Sequence, residues 1–395
     1  MKRLISLILI CLLLFACSPK EPQPINAEKL SGYRDFVNTT AAAFLDGSEN
    51  RDFSPISAYL ALALAAEGAG SETQAQILAL LGCADLDMLH DAAGEMLEKL
   101  SFQDGENQLT FCNSVWSAEK LPVRSTYLKH VKAFYRSETG SVPFGTADAG
   151  RKIASWINKS TRGKLAPSPE TMEFSQETIA VLLSTIYFQD TWDAAFEKED
   201  VKPGTFFSPD GERTVNYLTR FFDESSIVCG DGWMRYSLSM KHGNTMTFVL
   251  PDEGVALSDL LGRPEQLDTL LHGGEEVMAH VDFKLPKFTF SDSWDLADAF
   301  RDLGLELAFS DDADFSGMSE QPLKIDKAIQ QSVIEVNEKG AKAAAFTLLS
   351  MAPTSAAPKE LPLIRFWLER PFLFVLESNG HTTLFVGTVT MPDAH

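Results

Sequence analysis

The sequence predicts an α+β fold. Segments with apolar residues at helical spacing cluster early in the chain, and runs rich in β-branched and aromatic residues dominate later. Strands and helices do not alternate regularly, as a sheet of parallel βαβ units would require. Length and composition agree: 395 residues, 45% hydrophobic and 23% charged, suit a folded domain with a large core.

The first element is a leader. Lys2 and Arg3 precede an apolar run, Leu4–Ala16, of 13 residues. That is too short to span a bilayer comfortably and has the pattern of a secretory signal peptide over residues 1–16. Its end, Leu14-Phe15-Ala16-Cys17, resembles a bacterial lipobox, which would make Cys17 the lipidated first residue of the mature chain. Residues 17–26 then form a Pro-rich polar spacer holding the domain off the membrane. The expected address is secreted and lipid-anchored to a bacterial membrane, with the outer membrane or cell surface favoured by Ser18.

From residue 27 to 395 the composition is steadily globular. "AEKLSGYRDFVNTTAAAFLDG" and "SAYLALALAAEGAGSETQAQILALLG" read as helices, the second broken at Gly68 and Gly70 with Ser71 as N-cap. "IAVLLSTIYF" (179–188) is continuous and apolar, which suits a strand buried on both faces. "TMTFVLP" (245–251), "HVDFKLPKFTF" (280–290), "FLFVLES" (372–378) and "TTLFVGTV" (382–389) read as further strands.

Charge and motifs exclude several function classes. Formal net charge is −21, and −23 once Lys2 and Arg3 are removed, which argues against a nucleic-acid partner. The seven histidines form no HExxH or i,i+4 pair, and there is no GxSxG elbow, P-loop or GxGxxG. Cys83, Cys112 and Cys229 remain after Cys17; no CxxC suggests zinc, and no disulfide is assigned. "DDADFSG" (311–317) imitates the start of a calcium loop, but Leu323 stands where a bidentate Glu is needed, so it reads as an acidic turn. Trp116, Phe188 and Trp192 read first as core aromatics. No metal, no cofactor and no catalytic residue is expected.

Several stretches in order resemble the serpin family of serine protease inhibitors: "FSPISAYLALALAAEGAGSETQAQILALLG" (53–82), "SVWSAEKLPVRSTYL" (114–128), "INKSTRGKLAP" (157–167), "STIYFQDTWDAAF" (184–196), then "LPKFTF", "ADFSGMS" and "RPFLFVLESNGHTTLFVGTVTMP". The likeness spans roughly residues 27–392. It implies one domain with three β-sheets, about eight to nine helices and an exposed reactive-centre loop, placed at 338–360. It also implies an inhibitor rather than an enzyme. Its loop is attacked by a target serine protease, which becomes covalently bound, and the cut loop inserts as a strand into the main sheet. The inhibitor is expected to be a monomer. A non-inhibitory member, acting as a surface binding or carrier lipoprotein, is the alternative.

The residues permit insertion. Alternate side chains of a strand face opposite sides. After Gly340 one register presents Ala341, Ala343, Ala345 and Thr347, all small and uncharged. The other presents Lys342, Ala344, Phe346 and Leu348, and burying Lys342 unpaired would cost several kcal/mol. Gly340 supplies backbone freedom at the bend. Taken alone, "GAKAAAF" (340–346) also reads as a helix and "SMAPTSAAP" (350–358) as a flexible linker. The resemblance places the hinge at Glu338, Gly340, Ala341, Ala343, Ala344, Ala345 and Thr347. By resemblance, Glu338 pairs with Lys287, and Trp192 marks where insertion begins. Ser54, Ser57, Ser184 and Gln330 steady the sheet opening, Gln330 and Ser184 standing where the family commonly has His and Asn.

By the family's spacing from Glu338, the cleaved bond is Thr354–Ser355. Counting back from Phe366 moves it toward 357–358, where Pro358 disfavours cleavage because its ring restricts the extended pose. Ser355–Ala356 and Ala356–Ala357 are the alternatives. Residues this small suit elastase-like or subtilisin-like enzymes.

Overall fold

The computed structural model describes residues 25–165, 167, 172–176, 178, 180–326, 328–340, 361–379 and 381–392. The leader, Cys17 and the reactive-bond residues Thr354, Ser355, Ala356 and Ala357 lie outside them, as do hinge residues Ala341, Ala343, Ala344, Ala345 and Thr347.

Eight α-helices and fifteen strands are present among the described residues. The helices are α1 (Ser31–Phe44), α2 (Pro55–Gly68), α3 (Ser71–Leu80), α4 (Leu86–Glu95), α5 (Ser125–Tyr135), α6 (Ala147–Ser160), α7 (Pro264–His272) and α8 (Ala297–Asp302). The strands are β1 (Arg51–Phe53), β2 (Phe102–Asp104), β3 (Asn107–Ala118), β4 (Glu138–Val142), β5 (Ala180–Gln189), β6 (Val201–Ser208), β7 (Gly211–Gly230), β8 (Trp233–Ser239), β9 (Thr245–Pro251), β10 (Glu275–Pro286), β11 (Phe288–Asp295), β12 (Ile329–Val336), β13 (Leu363–Trp367), β14 (Phe372–Ser378) and β15 (Thr382–Val389). The α+β expectation holds, and strands β9, β14 and β15 coincide with their sequence segments.

Three sheets organise the strands. A nine-stranded sheet runs β1-β15-β14-β9-β8-β7-β10-β13 with β6 against β7. A four-stranded sheet centres on β3, which pairs with β2, β4 and β5. A two-stranded sheet joins β11 to β12. Among the described residues no backbone ladder links β5 to β12.

Helix α2 is the central support. Ser54 caps its start by accepting the Ser57 amide, and Pro55 occupies the first turn, where its missing N–H costs nothing. Its run of Ala and Leu is a strong helix former and apolar all round, so the helix is buried. One correction applies downstream: Gly70, not Ser71, is the N-cap of α3. Ser71 is the first helical residue at φ +49°, and its hydroxyl is held 2.8 Å from Asp314. The acidic turn is thus a structural clasp: Asp314 also accepts the Ser316 amide at 3.0 Å, and Asp311 pairs with Lys324 at 2.6 Å.

Strand β5 is covered on both faces, as its continuous apolar sequence requires. Leu183 joins a cluster with Ile153, Trp156 and Ile157 of α6, while Ile186 joins the main core containing α2. Gln330, Ser332, Ile334 and Val336 of β12 are buried, and Ile334 and Val336 enter that same core.

Candidate functional site

The seam between β5 and β12 is the candidate site. Its upper end is formed by the turn that follows β12. Strand β12 ends at Val336, and the chain turns through Asn337–Gly340 against the segment Thr191–Trp192 that follows β5. Trp192 is buried, its Nε1 donates to the Asn337 carbonyl at 2.9 Å, and its amide donates to the Lys339 carbonyl at 3.3 Å. The Phe196 amide donates to the Glu338 carbonyl at 2.9 Å. Gly340 sits at φ +72°, and a Cβ there would run into the Trp192 backbone nitrogen. Glycine is therefore needed for conformation and for close approach.

Lys287 Nζ lies 2.9 Å from Glu338 Oε2, both side chains being mostly covered. The Lys287 ammonium, with help from a backbone amide, holds the Glu338 carboxyl below the usual glutamate range. Below it, Lys164, after α6, reaches Glu335 of β12 at 3.3 Å, so an exposed ion pair bridges the two sides of the seam.

Trp192 is held by a buried group that sequence reasoning missed. Asp190 accepts from His242 Nδ1 at 2.7 Å, Asn244 Nδ2 at 2.6 Å and the Thr191 amide at 2.9 Å. These bonds fix the loop on which Trp192 stands. His242 and Asp190 are 52 residues apart, and no spacing pattern announces the pair.

The lower end of the seam lies over the start of α2. Gln330 Nε2 donates to the Ser54 carbonyl at 2.7 Å, and the Ser54 amide donates to Gln330 Oε1 at 3.3 Å. Ser54 Oγ lies 2.9 Å from the Leu384 carbonyl and 3.1 Å from Ser57 Oγ. Ser184 does not join: its hydroxyl, like that of Ser332, is buried with no hydrogen-bond partner among the described residues. The structure thus brings Gln330, Ser54 and Ser57 together on the α2 side and leaves Ser184 opposite them unpaired.

Two cavities mark the seam. The upper, about 300 Å³, is lined by Tyr187, Phe188, Trp192, Ile334, Val336 and Gly340 among others. The lower, about 70 Å³, lies among Ser57, Ala58 and Ala61 of α2, Leu182 and Ser184 of β5, and Gln330. Two strands without a ladder between them among the described residues, a cavity above and below, and buried hydroxyls at the middle mark the seam as a line of incomplete pairing.

Comparisons with known proteins agree with this geometry. A family model described as Serpin (serine protease inhibitor) matches residues 34–392. The chain is 31% identical over 364 residues to Serpin-Z1C of Triticum aestivum, covering 87% of this chain and 90% of that protein. It is 30% identical over 366 residues to Alpha-1-antiproteinase 2 of Equus caballus, covering 89% and 83%. In fold it is similar to the thermophilic serpin tengpin in its native state, with a TM-score of 0.80 at 24% identity over 95% of this chain and 97% of that one.

Proposed function

The chain belongs to the serpin family, and on that premise we propose that it inhibits serine proteases as a suicide substrate. The observation that carries this reading is the unladdered seam between β5 and β12, fed at its upper end by the Gly340 turn. The protease serine oxygen attacks the Thr354 carbonyl carbon, the Thr354–Ser355 amide breaks, and the new amine of Ser355 leaves with a proton. The Thr354 acyl group stays on the protease as an ester. The segment between Gly340 and Thr354 then enters the seam with Ala341, Ala343, Ala345 and Thr347 toward α2, carrying the protease with it. Burial of a full strand and its ladder drives this step.

Small residues around the bond favour an elastase-like or subtilisin-like target. A protein of this kind on a lipid anchor at Cys17 would guard the bacterial surface or periplasm.

The test is to mix the protein with an elastase. An SDS-stable complex, and a released peptide beginning at Ser355 by mass spectrometry, are expected. Clean cleavage with full recovery of protease activity, and no rise in thermal stability after nicking, would replace this reading with a non-inhibitory carrier.

A further inference from the structure

Among the described residues five large apolar side chains are markedly exposed, and three of them share one face. They are Phe221 on β7, Met278 on β10 and Leu363 on β13, at 58%, 49% and 59% exposure. The three strands are adjacent in the nine-stranded sheet. Met278 and His280 are two apart on β10 and point the same way, Leu363 is the register partner of His280, and the Phe221 and His280 rings stack at 6.1 Å. The patch is therefore one continuous surface centred on His280. Exposed aromatic and Met side chains grouped this way mark protein contact sites. Its border is acidic: Asp223, Glu224 and Glu276 are exposed, with Arg365 as a nearby exposed cation.

We propose that this patch is a second contact for the protease captured by the bait segment, and that it selects proteases with a basic, partly apolar surface beside the cleft. The proposal rests on the inhibitory reading above. Location supports it. Leu363 opens the strand into which the bait segment runs, and Thr354 is seven residues before Leu361, at most about 24 Å of extended chain. A protease of about 220 residues has a radius of gyration near 17 Å, so its body reaches this face when its cleft holds the bond. Charge names the partner. A second copy of this chain seated face to face would bring its own acidic border against Asp223, Glu224 and Glu276 on molecules of net charge −21, which is repulsive.

The probe is a basic elastase in two forms, active and with its nucleophilic serine changed to alanine. The inactive form reports docking alone. The triple variant Phe221→Ser, Met278→Ser, Leu363→Ser is expected to bind it about tenfold more weakly. The same variant should trap active elastase about tenfold more slowly, with an unchanged number of inhibitor molecules consumed per protease trapped, because that ratio is set after acylation. A second variant, Asp223→Asn, Glu224→Gln, Glu276→Gln, should slow trapping at low salt and flatten its salt dependence. Equal docking and trapping in both variants would overturn the proposal. A wild-type dimer by sedimentation that the triple variant abolishes would overturn it too. If the wild type forms no covalent complex with active elastase, the inhibitory reading itself fails and this proposal with it; normal trapping that ignores the patch sinks the patch alone.

Discussion

Gln330 and Ser54 exchange two hydrogen bonds across 276 residues of sequence, the glutamine amide pairing with both backbone groups of Ser54 as a neighbouring strand would. This fastens the start of β12 to the start of α2.

Replacing Gln330 by Leu strands the Ser54 N–H in a buried site and leaves the Ser54 carbonyl with only the Ala58 amide. A loss of about 1–3 kcal/mol is expected in the native form. It should appear as a lower guanidinium midpoint with an unchanged slope. A midpoint equal to the wild type would show that water or another group takes over.

Ser184→Ala has the opposite expectation. The hydroxyl it removes is buried and unpartnered, so stability should hold or rise by up to about 1 kcal/mol. Thermal unfolding measures this; a clear loss would show that Ser184 has a partner in solution.

Gly340→Ala forces a side chain into a left-handed backbone pressed on Trp192. The turn should detach at a cost of about 1–3 kcal/mol. Faster hydrogen exchange at the Trp192 amide, with exchange in the nine-stranded sheet unchanged, is the expected readout.

Acid should loosen the same turn. Glu338 titrates below its ordinary value because of Lys287, so its stabilising contribution is present above the unfolded glutamate range and is lost as pH falls through the lower, folded value. Trp192 fluorescence should therefore change on acidification below about pH 4. Lys287→Met should move that change to higher pH and shrink it; an identical profile in the variant would remove Glu338 from the explanation.

The direction of insertion is tested by two loop substitutions. Ala345→Arg places a charge toward α2 and should turn the inhibitor into a plain substrate, with cleavage but no stable complex. Lys342→Ala lies on the outward register and should leave complex formation near the wild-type level. Comparable complex yields from both would refute the register.

Much of this was legible in the chain itself. The apolar run at 179–188 announced a strand covered on both faces, and β5 has α6 packed on Leu183 and the α2 core on Ile186. The exits of β9, β14 and β15 followed from side-chain type alone. The Lys287–Glu338 and Trp192–hinge contacts came from motif likeness, not from any local signal. Asp190, His242 and Asn244 gave no signal at all, since a buried carboxylate is recognised by its donors and these lie on a distant hairpin. Ser71 does not serve as the cap its sequence position suggests, because Gly70 takes that position while the serine hydroxyl turns to Asp314.

By itself the sequence determined the class of fold, the strands whose apolar pattern is unbroken, and the small uncharged register that follows Gly340. Those are local properties: backbone preference and side-chain alternation act within a few residues. Only the tertiary structure decided that β5 and β12 stand side by side without a ladder among the described residues, that Gln330 reaches Ser54 while Ser184 finds no partner among them, and that Phe221, Met278 and Leu363 meet on one face. Each depends on distances of a few ångströms between residues far apart in sequence, and packing around α2 and in the nine-stranded sheet sets those distances.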